Sequence, residues 1–217
     1  NFAIEIATKL NSEVCLYHIY SFNKKADYDW DYPEDEQPYI KRLEKKMALT
    51  KKKALEQAPE LEHSIYTVVE EGSVFSLFQE IIVDHNISLI VMGSKGASGL
   101  GKTIFGSVAA TALELAKIPL LVVPPDHSYA HLEHIVLASD QNEVSINTLL
   151  PLQKLVNQFN SKVTILNVNS DKGTNRKIDN YLNGTEVIYR EEPMSKNVNE
   201  TINEFVKVNK CDLLCMI

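Results

Sequence analysis

Residues 88–107 read Ser88-Leu-Ile-Val-Met-Gly-Ser-Lys-Gly-Ala-Ser-Gly-Leu-Gly-Lys-Thr-Ile-Phe-Gly-Ser107. A short apolar run of the buried-strand type leads into a glycine-rich loop, and a helical pattern follows it. Such a junction presents free backbone N–H groups and the positive end of a helix dipole to an anion. Two phosphate-binding patterns overlap here. Gly96 to Thr103 fits the P-loop pattern G-x4-G-K-[ST], in which Lys102 would reach the β- and γ-phosphates and Thr103 would hold magnesium. Gly93, Gly96, Gly106 and Ser107 fit a second pattern, G-x2-G-x9-G-[ST].

Context separates them. A P-loop needs a helix starting near Lys102, which would put Gly106 in its first turns at a cost of about 1 kcal/mol against alanine. It also needs an acid at the end of a later strand. The next strand, Leu120-Leu-Val-Val123, runs instead into Pro124-Pro125, with Asp126 beyond both prolines. The second pattern starts the helix at Gly106-Ser107 and uses Gly106 as a close-approach residue. Ser107 can cap that helix or donate its hydroxyl to phosphate. The context favours the second pattern.

Working outward, the chain repeats itself. Residues 6–21 (IATKLNSEVCLYHIYS) align with residues 155–170 (LVNQFNSKVTILNVNS) at an offset of 149, sharing Asn11/Asn160, Ser12/Ser161, Val14/Val163 and Ser21/Ser170. Ser88-Leu-Ile-Val-Met92 aligns with Asp212-Leu-Leu-Cys-Met216 at an offset of 124, so the first copy carries about 25 extra residues, assigned to the polar stretch Ser21–Lys53. In the first copy, strands are expected at Glu13–Tyr20, Ser64–Val69, Ile87–Met92 and Pro119–Val123. Its helices are expected near Phe2–Leu10, Pro38–Gln57, Val74–Asp84 and Ser107–Ala116. The second copy is expected to contain strands His134–Ser139, Lys162–Asn169, Glu186–Tyr189 and Leu213–Met216, with helices Val144–Phe159 and Val198–Val208. Strands alternating with helices imply an α/β fold with parallel sheets covered on both faces. Two domains are expected, residues 1–125 and 126–217, joined at Pro124-Pro125-Asp126-His127-Ser128. The partner of Asp140 would precede residue 1, and the second copy stops where the first meets its glycine loop. Each unit is therefore expected to be incomplete, in a chain trimmed at both ends.

A formal net charge of −7 argues against a dedicated nucleic-acid binder. No apolar run reaches membrane-spanning length, and the start is not a signal peptide. Cys15, Cys211 and Cys215 sit in apolar runs and read as buried, reduced thiols of a cytoplasmic protein. Cys211-x3-Cys215 suits a metal poorly, and no catalytic Ser-His-Asp or Cys-His arrangement stands out. The acidic, aromatic run Asp27–Glu36 reads as a solvated loop, Lys41–Lys53 as an exposed helix face, and His18 as a packed or pocket-wall residue.

Met92-Gly93-Ser94-x-Gly96, nine residues, Gly106-Ser107-Val108 and then Ile118-Pro119-Leu-Leu-Val-Val-Pro124 resemble the universal stress protein family. The resemblance extends to both copies, as a tandem protein. It implies Rossmann-like, adenine nucleotide alpha hydrolase-like units with strand order 3-2-1-4-5. It implies ATP or AMP, with or without Mg2+, at the carboxyl ends of the strands, and a sensor or regulator of stress with slow hydrolysis at most and no catalytic residues. Met92, Gly93 and Gly96 would contact ribose and phosphates. Gly106, Ser107 and Val108 would contact phosphates, with Lys95 and Lys102 as nearby charges. Ile19 would line the adenine pocket. The family's acidic residue after the first strand has its counterpart only in Asp140. The resemblance also implies pairing of the two domains through the last strand, Leu120–Val123, and a homodimer. In the second copy Ile217 stands where Gly93 stands in the first, so that site is expected to be degenerate. A P-loop ATPase or kinase using Lys102 and Thr103, and a nucleotide-free dimeric scaffold, are the alternatives.

Overall fold

The computed structural model describes residues 2–22, 36–94, 106–125, 131–139, 145–168, 178, 181–182 and 184–217. It divides into two compact units, Asn1–Tyr129 and Ala130–Ile217. The acidic run at 27–35 lies outside the described residues, and Glu36 opens a helix.

The first unit contains α1 (Phe2–Leu10), β1 (Val14–Tyr20), α2 (Glu36–Gln57), a short 3-10 turn (Pro59–Leu61) and β2 (Ile65–Glu71). It continues with α3 (Val74–Asp84), β3 (Ile90–Gly93), α4 (Ser107–Leu115) and β4 (Leu120–Val123). Helix α2 buries Leu43, Met47 and Ala54 at helical spacing, while Lys41, Lys45, Lys46, Lys52 and Lys53 are exposed, as its basic run implies. Ser73 caps α3 in a reciprocal pair with Ser76, each side chain meeting the other's backbone N–H.

The second unit contains β5 (His134–Ala138), α5 (Ile146–Phe159), β6 (Lys162–Val168), β7 (Val187–Glu192), α6 (Val198–Val208) and β8 (Leu213–Met216). Its four strands form one sheet in the order β7-β6-β5-β8, and every pair is parallel. Counted within the unit, that order is 3-2-1-4. In the first unit β1 pairs with β2, and β3 with β4, as two separate parallel sheets. Each pair is also parallel.

The repeat is visible in how the helices stop. Asn11 and Asn160 both adopt left-handed backbone, with φ of 49° and 54°. Beyond each, the next N–H reaches back five residues, Ser12 to the Ala7 carbonyl at 2.9 Å and Ser161 to the Val156 carbonyl at 3.0 Å. Asn86 and Lys210 repeat the device at the ends of α3 and α6, with φ of 48° and 50°. Ile87 and Cys211 make the matching bonds to Ile82 and Val206. Closing the last turn this way satisfies carbonyls the helix leaves unpaired, and asparagine tolerates the left-handed geometry well. Asn11 and Asn160 correspond at the first sequence offset, Asn86 and Lys210 at the second.

Burial follows the sheets. Strand β5 lies between two neighbours, and Ile135, Val136 and Leu137 are fully buried. One face packs with Leu149, Leu152 and Val156 of α5, the other with Ile202 and Phe205 of α6. A continuous apolar run is what a parallel strand covered on both faces requires. In the first unit Ile4 and Ala7 of α1, Val14 of β1, Ala54 of α2 and Ile65 of β2 form the corresponding cluster.

Candidate functional site

The site grows from the end of β3. Met92 and Gly93 are its last residues, and Gly93 stands beside Val123 of β4. The next residue, Ser94, is buried and continues the pairing through its N–H, 2.9 Å from the Val123 carbonyl. Its own carbonyl accepts the Gly106 N–H at 2.7 Å. The two ends of the glycine loop are therefore pinned together by Ser94 and Gly106. The sequence motif contains Ser94 but gives it no role; that role depends on a pairing across the loop.

Gly106 has φ −70° and ψ 165°, an extended conformation, and is the N-cap of α4. No side chain caps this helix. The N–H groups of its first turn, Ser107 to Ala109, have no acceptor within the helix and point out of its amino end. Ala109 and Ala112 are buried on the inner face, where small side chains let the backbone pack closely. Gln79 of α3 donates to the Leu115 carbonyl and fixes the other end. Ser107 and Val108 are exposed at the amino end. The result is a helix N-terminus set at the carboxyl end of a parallel pair of strands, which is where open α/β sheets bind ligands.

The extended backbone at Gly106 also bears on the P-loop alternative. A helix running from Lys102 into α4 would need helical backbone there, and Gly106 interrupts it. Lys95, Gly96, Lys102 and Thr103 lie outside the described residues, as do Asp126 and Asp140.

Ile19 is half-buried near the carboxyl end of β1, beside Glu70 of β2. Tyr17, one turn of the pleat earlier on the same face, donates its hydroxyl to the Glu70 carboxylate. Ile19 lies near the carboxyl end of its own two-stranded sheet, separate from the sheet that carries Met92 and Gly93. His18 is half-buried, and burial pushes its imidazole below the ordinary value, with Lys46 of α2 adding to the effect. A neutral imidazole suits a packed wall, in keeping with the sequence reading.

Sequence reasoning missed a cluster at the amino ends of β5 and β8. His134 Nε2 lies 2.8 Å from Thr164 Oγ1, and His134 Nδ1 lies 3.6 Å from Cys211 Sγ. Asp212 accepts the backbone N–H groups of Glu133 and His134, both at 2.9 Å. The partners are 30 to 79 residues apart, so no local pattern announces them. A Cys–His contact invites a nucleophile reading, but both groups are pushed toward neutrality. Burial raises the Cys211 thiol, with Asp212 adding to it, and burial lowers the His134 imidazole, with Lys162 adding to it. An activated thiolate needs the opposite shifts. The cluster is a structural tie between strands. The cysteines are free, and all three are half-buried, a correction to the expectation of full burial: among the described residues β1 and β8 each pair with one strand. Burial pushes the Cys215 thiol up to about 12, even though the residue as a whole keeps some exposure. Among the described residues no group of three or more His, Cys, Asp or Glu could hold a metal ion.

His134 makes the second unit acid-sensitive. Its folded pKa is depressed, so the unfolded chain takes up the proton first as pH falls. The stability it contributes is present above about pH 6.5 and is lost as pH falls through the lower, folded value. Amide exchange of β5 and β6 followed from pH 8 to pH 5, with correction for intrinsic rates, should reveal that loss. His134→Asn should remove part of the slope; an unchanged slope would assign the acid sensitivity to other groups.

Known proteins bear on this arrangement as follows. The model of the universal stress protein family matches residues 1–124, more than half of the chain. A solved universal stress protein from Archaeoglobus fulgidus DSM 4304 superposes with a TM-score of 0.70 at 18% identity, covering 98% of this chain and 79% of that one. The structure of hypothetical protein MJ0577, solved to assign its biochemical function, covers 58% of this chain and 88% of its own, at 21% identity and a TM-score of 0.39, too low to carry an argument. A search of curated proteins returned no match. Among the described residues no helix is long and apolar enough to cross a membrane. The family match spans β3, the glycine loop and α4, the elements that build the site, and the chain belongs to the universal stress protein family.

Proposed function

We propose that the protein binds an adenine nucleotide, ATP or AMP, at the loop between β3 and α4, and acts as a sensor or regulator in the response to stress. The observation that carries this reading is the backbone at Gly106: extended, bonded to Ser94, and followed at once by an uncapped helix start. Phosphates would lie on Gly106, Ser107 and Val108, ribose and phosphates against Met92, Gly93 and Gly96, and adenine near Ile19. Lys95 and Lys102 supply charge beside the phosphates, where Mg2+ can accompany ATP. Signalling comes from the difference between the occupied and empty states, and hydrolysis is slow at most. Residues 1–125 form the binding domain. Residues 126–217 form a second domain of the same type, whose site is degenerate because Ile217 packs toward its apolar core where Gly93 stands in the first. The two domains pair through the last strand, Leu120–Val123, and the protein forms a homodimer. The charge balance argues against a nucleic-acid partner, and the free cysteines support a cytoplasmic protein.

The test is ATP affinity and turnover of the intact chain and of two variants. Gly106→Val places a branched side chain where phosphate should approach, and should weaken binding at least about tenfold, the loss of one charge-assisted hydrogen bond or more. Lys102→Ala should leave slow turnover nearly unchanged. Fast wild-type turnover abolished by Lys102→Ala would establish the P-loop reading instead. A wild-type protein that binds no adenine nucleotide would leave only the scaffold.

A further inference from the structure

A strongly basic surface runs along the outer face of α2. Seven of the thirteen residues from Lys41 to Lys53 are basic and one, Glu44, is acidic, in a chain whose formal net charge is −7. At 3.6 residues per turn, Lys41, Arg42, Lys45, Lys46, Lys52 and Lys53 fall within an arc of about 140°. All six are exposed. Leu43, Met47 and Ala54 lie on the opposite side and are buried. Ala54 packs with Ile4, Ala7, Val14 and Ile65, so the helix cannot roll to turn its charges elsewhere.

The arc has two parts. Lys41, Arg42, Lys45 and Lys46 form one group, and Lys52 and Lys53 the other. Ala48 and Leu49 lie between them, and Leu49 is 53% exposed. The centres of the two groups are about 13 Å apart along the axis, at 1.5 Å per residue. Glu44 falls outside the arc, and Glu56 lies beyond its last basic residue. Among the described residues none of the six is paired with a carboxylate; the ion pair there is Lys196 with Glu200. Lys41 and Lys45 stand four apart, as do Arg42 and Lys46, where like charges repel on a helix surface. The fold holds this repulsion in place, and an acidic partner would relieve it.

We propose that this face of α2 is a docking surface for a short acidic segment of a partner protein. The segment carries carboxylates at both ends of an apolar centre, with the apolar residue on Leu49 and the carboxylates on the two basic groups. Extended chain covers the distance between the groups in about four residues. The size of the surface selects this occupant. A nucleic-acid duplex or a lipid bilayer would extend beyond it and meet the rest of the chain, which is acidic overall. A short segment stays within the basic arc, and a Debye length of about 8 Å at physiological salt screens the remainder. Charge complementarity of this kind fixes partner choice, while exposed ion pairs keep the affinity modest and sensitive to salt. No residue of this face belongs to the loop between β3 and α4.

The experiment uses the 217-residue chain and a fluorescent, end-blocked peptide, Glu-Glu-Ala-Leu-Glu-Glu. Saturable binding at one peptide per chain is expected at low salt, with amide shifts concentrated in α2. Binding should weaken at least about fivefold at physiological salt. Lys45→Glu combined with Lys52→Glu should weaken it at least about fivefold, while Lys45→Arg with Lys52→Arg should retain it. Both positions are exposed, and circular dichroism checks that the helix persists. Gly106→Val should leave peptide binding unchanged, which separates this surface from the nucleotide site. Absence of binding at low salt overturns the proposal, as does equal binding by the double Glu variant. Tighter binding to duplex DNA, or to vesicles of phosphatidylserine and phosphatidylcholine, would overturn it in favour of those polyanions. Binding that emerges only when Asp27, Asp29 and Asp31 are changed to Asn would overturn it too, since the chain's own acids would then hold the face.

Discussion

Leu137→Ala should destabilise the second unit by about 2–5 kcal/mol, the range for removing a fully buried leucine side chain from a core that cannot collapse around the void. Leu137 is fully buried in the middle of β5 and belongs to the cluster that includes Ile135, Leu149, Leu152, Val156, Val163 and Ile165. Strands on both sides and helices on both faces leave no mobile neighbour to fill the space. The measurement is native-state amide exchange in β5 and β6. A loss of about 3 kcal/mol speeds exchange through global opening more than a hundredfold. The control is Leu16→Ala in β1, which is half-buried and should cost the first unit less than about 2 kcal/mol. Equal losses at the two positions would mean that the contrast in burial between the units does not govern their stability.

Gly72→Val should cost the first unit about 1–3 kcal/mol, the usual penalty for forcing extra atoms into packed space. A Cβ on Gly72 would sit 2.7 Å from Leu77 Cδ1 and 2.9 Å from its Cγ. Leu77 is buried under the start of α3 and has little room to move. The φ of Gly72, +157°, is one that L side chains rarely adopt. Gly72 also donates its N–H to the Tyr20 carbonyl at 2.7 Å, closing the β1–β2 ladder. Displacing it should therefore loosen the carboxyl end of β1, where Ile19 lies. Thermal unfolding read together with nucleotide affinity checks both effects. Leu77→Ala in the same chain should relieve the steric part. A Gly72→Val protein as stable as wild type would show that the backbone shifts freely at this turn.

Much of this architecture can be read from the sequence because parallel α/β units write their pattern locally. Helices at Phe2–Leu10, Val74–Asp84 and Val198–Val208 follow apolar spacing to the residue, and the apolar run His134–Ala138 becomes a strand buried on both faces. The Asn-Ser turns carry their geometry in two residues. What escapes the sequence is pairing at a distance. The His134–Thr164–Cys211 contacts exist only once β5, β6 and β8 lie side by side. The 3-10 turn at Pro59–Leu61 breaks no periodicity and leaves no mark. For the site, the glycine pattern identifies the residues at each end of the loop, whereas the Gly106–Ser94 bond that closes it joins residues twelve apart. Ile217 illustrates the reverse case: its identity alone suggests that the second unit has given up the glycine's role, and the structure finds it packed against the core.

The central position of β5 sets an order of events during synthesis. Its pairing with β6 needs residues about 28 positions away, since His134 stands opposite Lys162, and can form early. Its other side waits for Leu213, about 78 positions beyond Ile135. At roughly 5–20 residues per second on the ribosome, β5 spends several seconds with its most apolar stretch half-covered. During that interval the half-covered strand presents an unpaired apolar edge of the kind that aggregates.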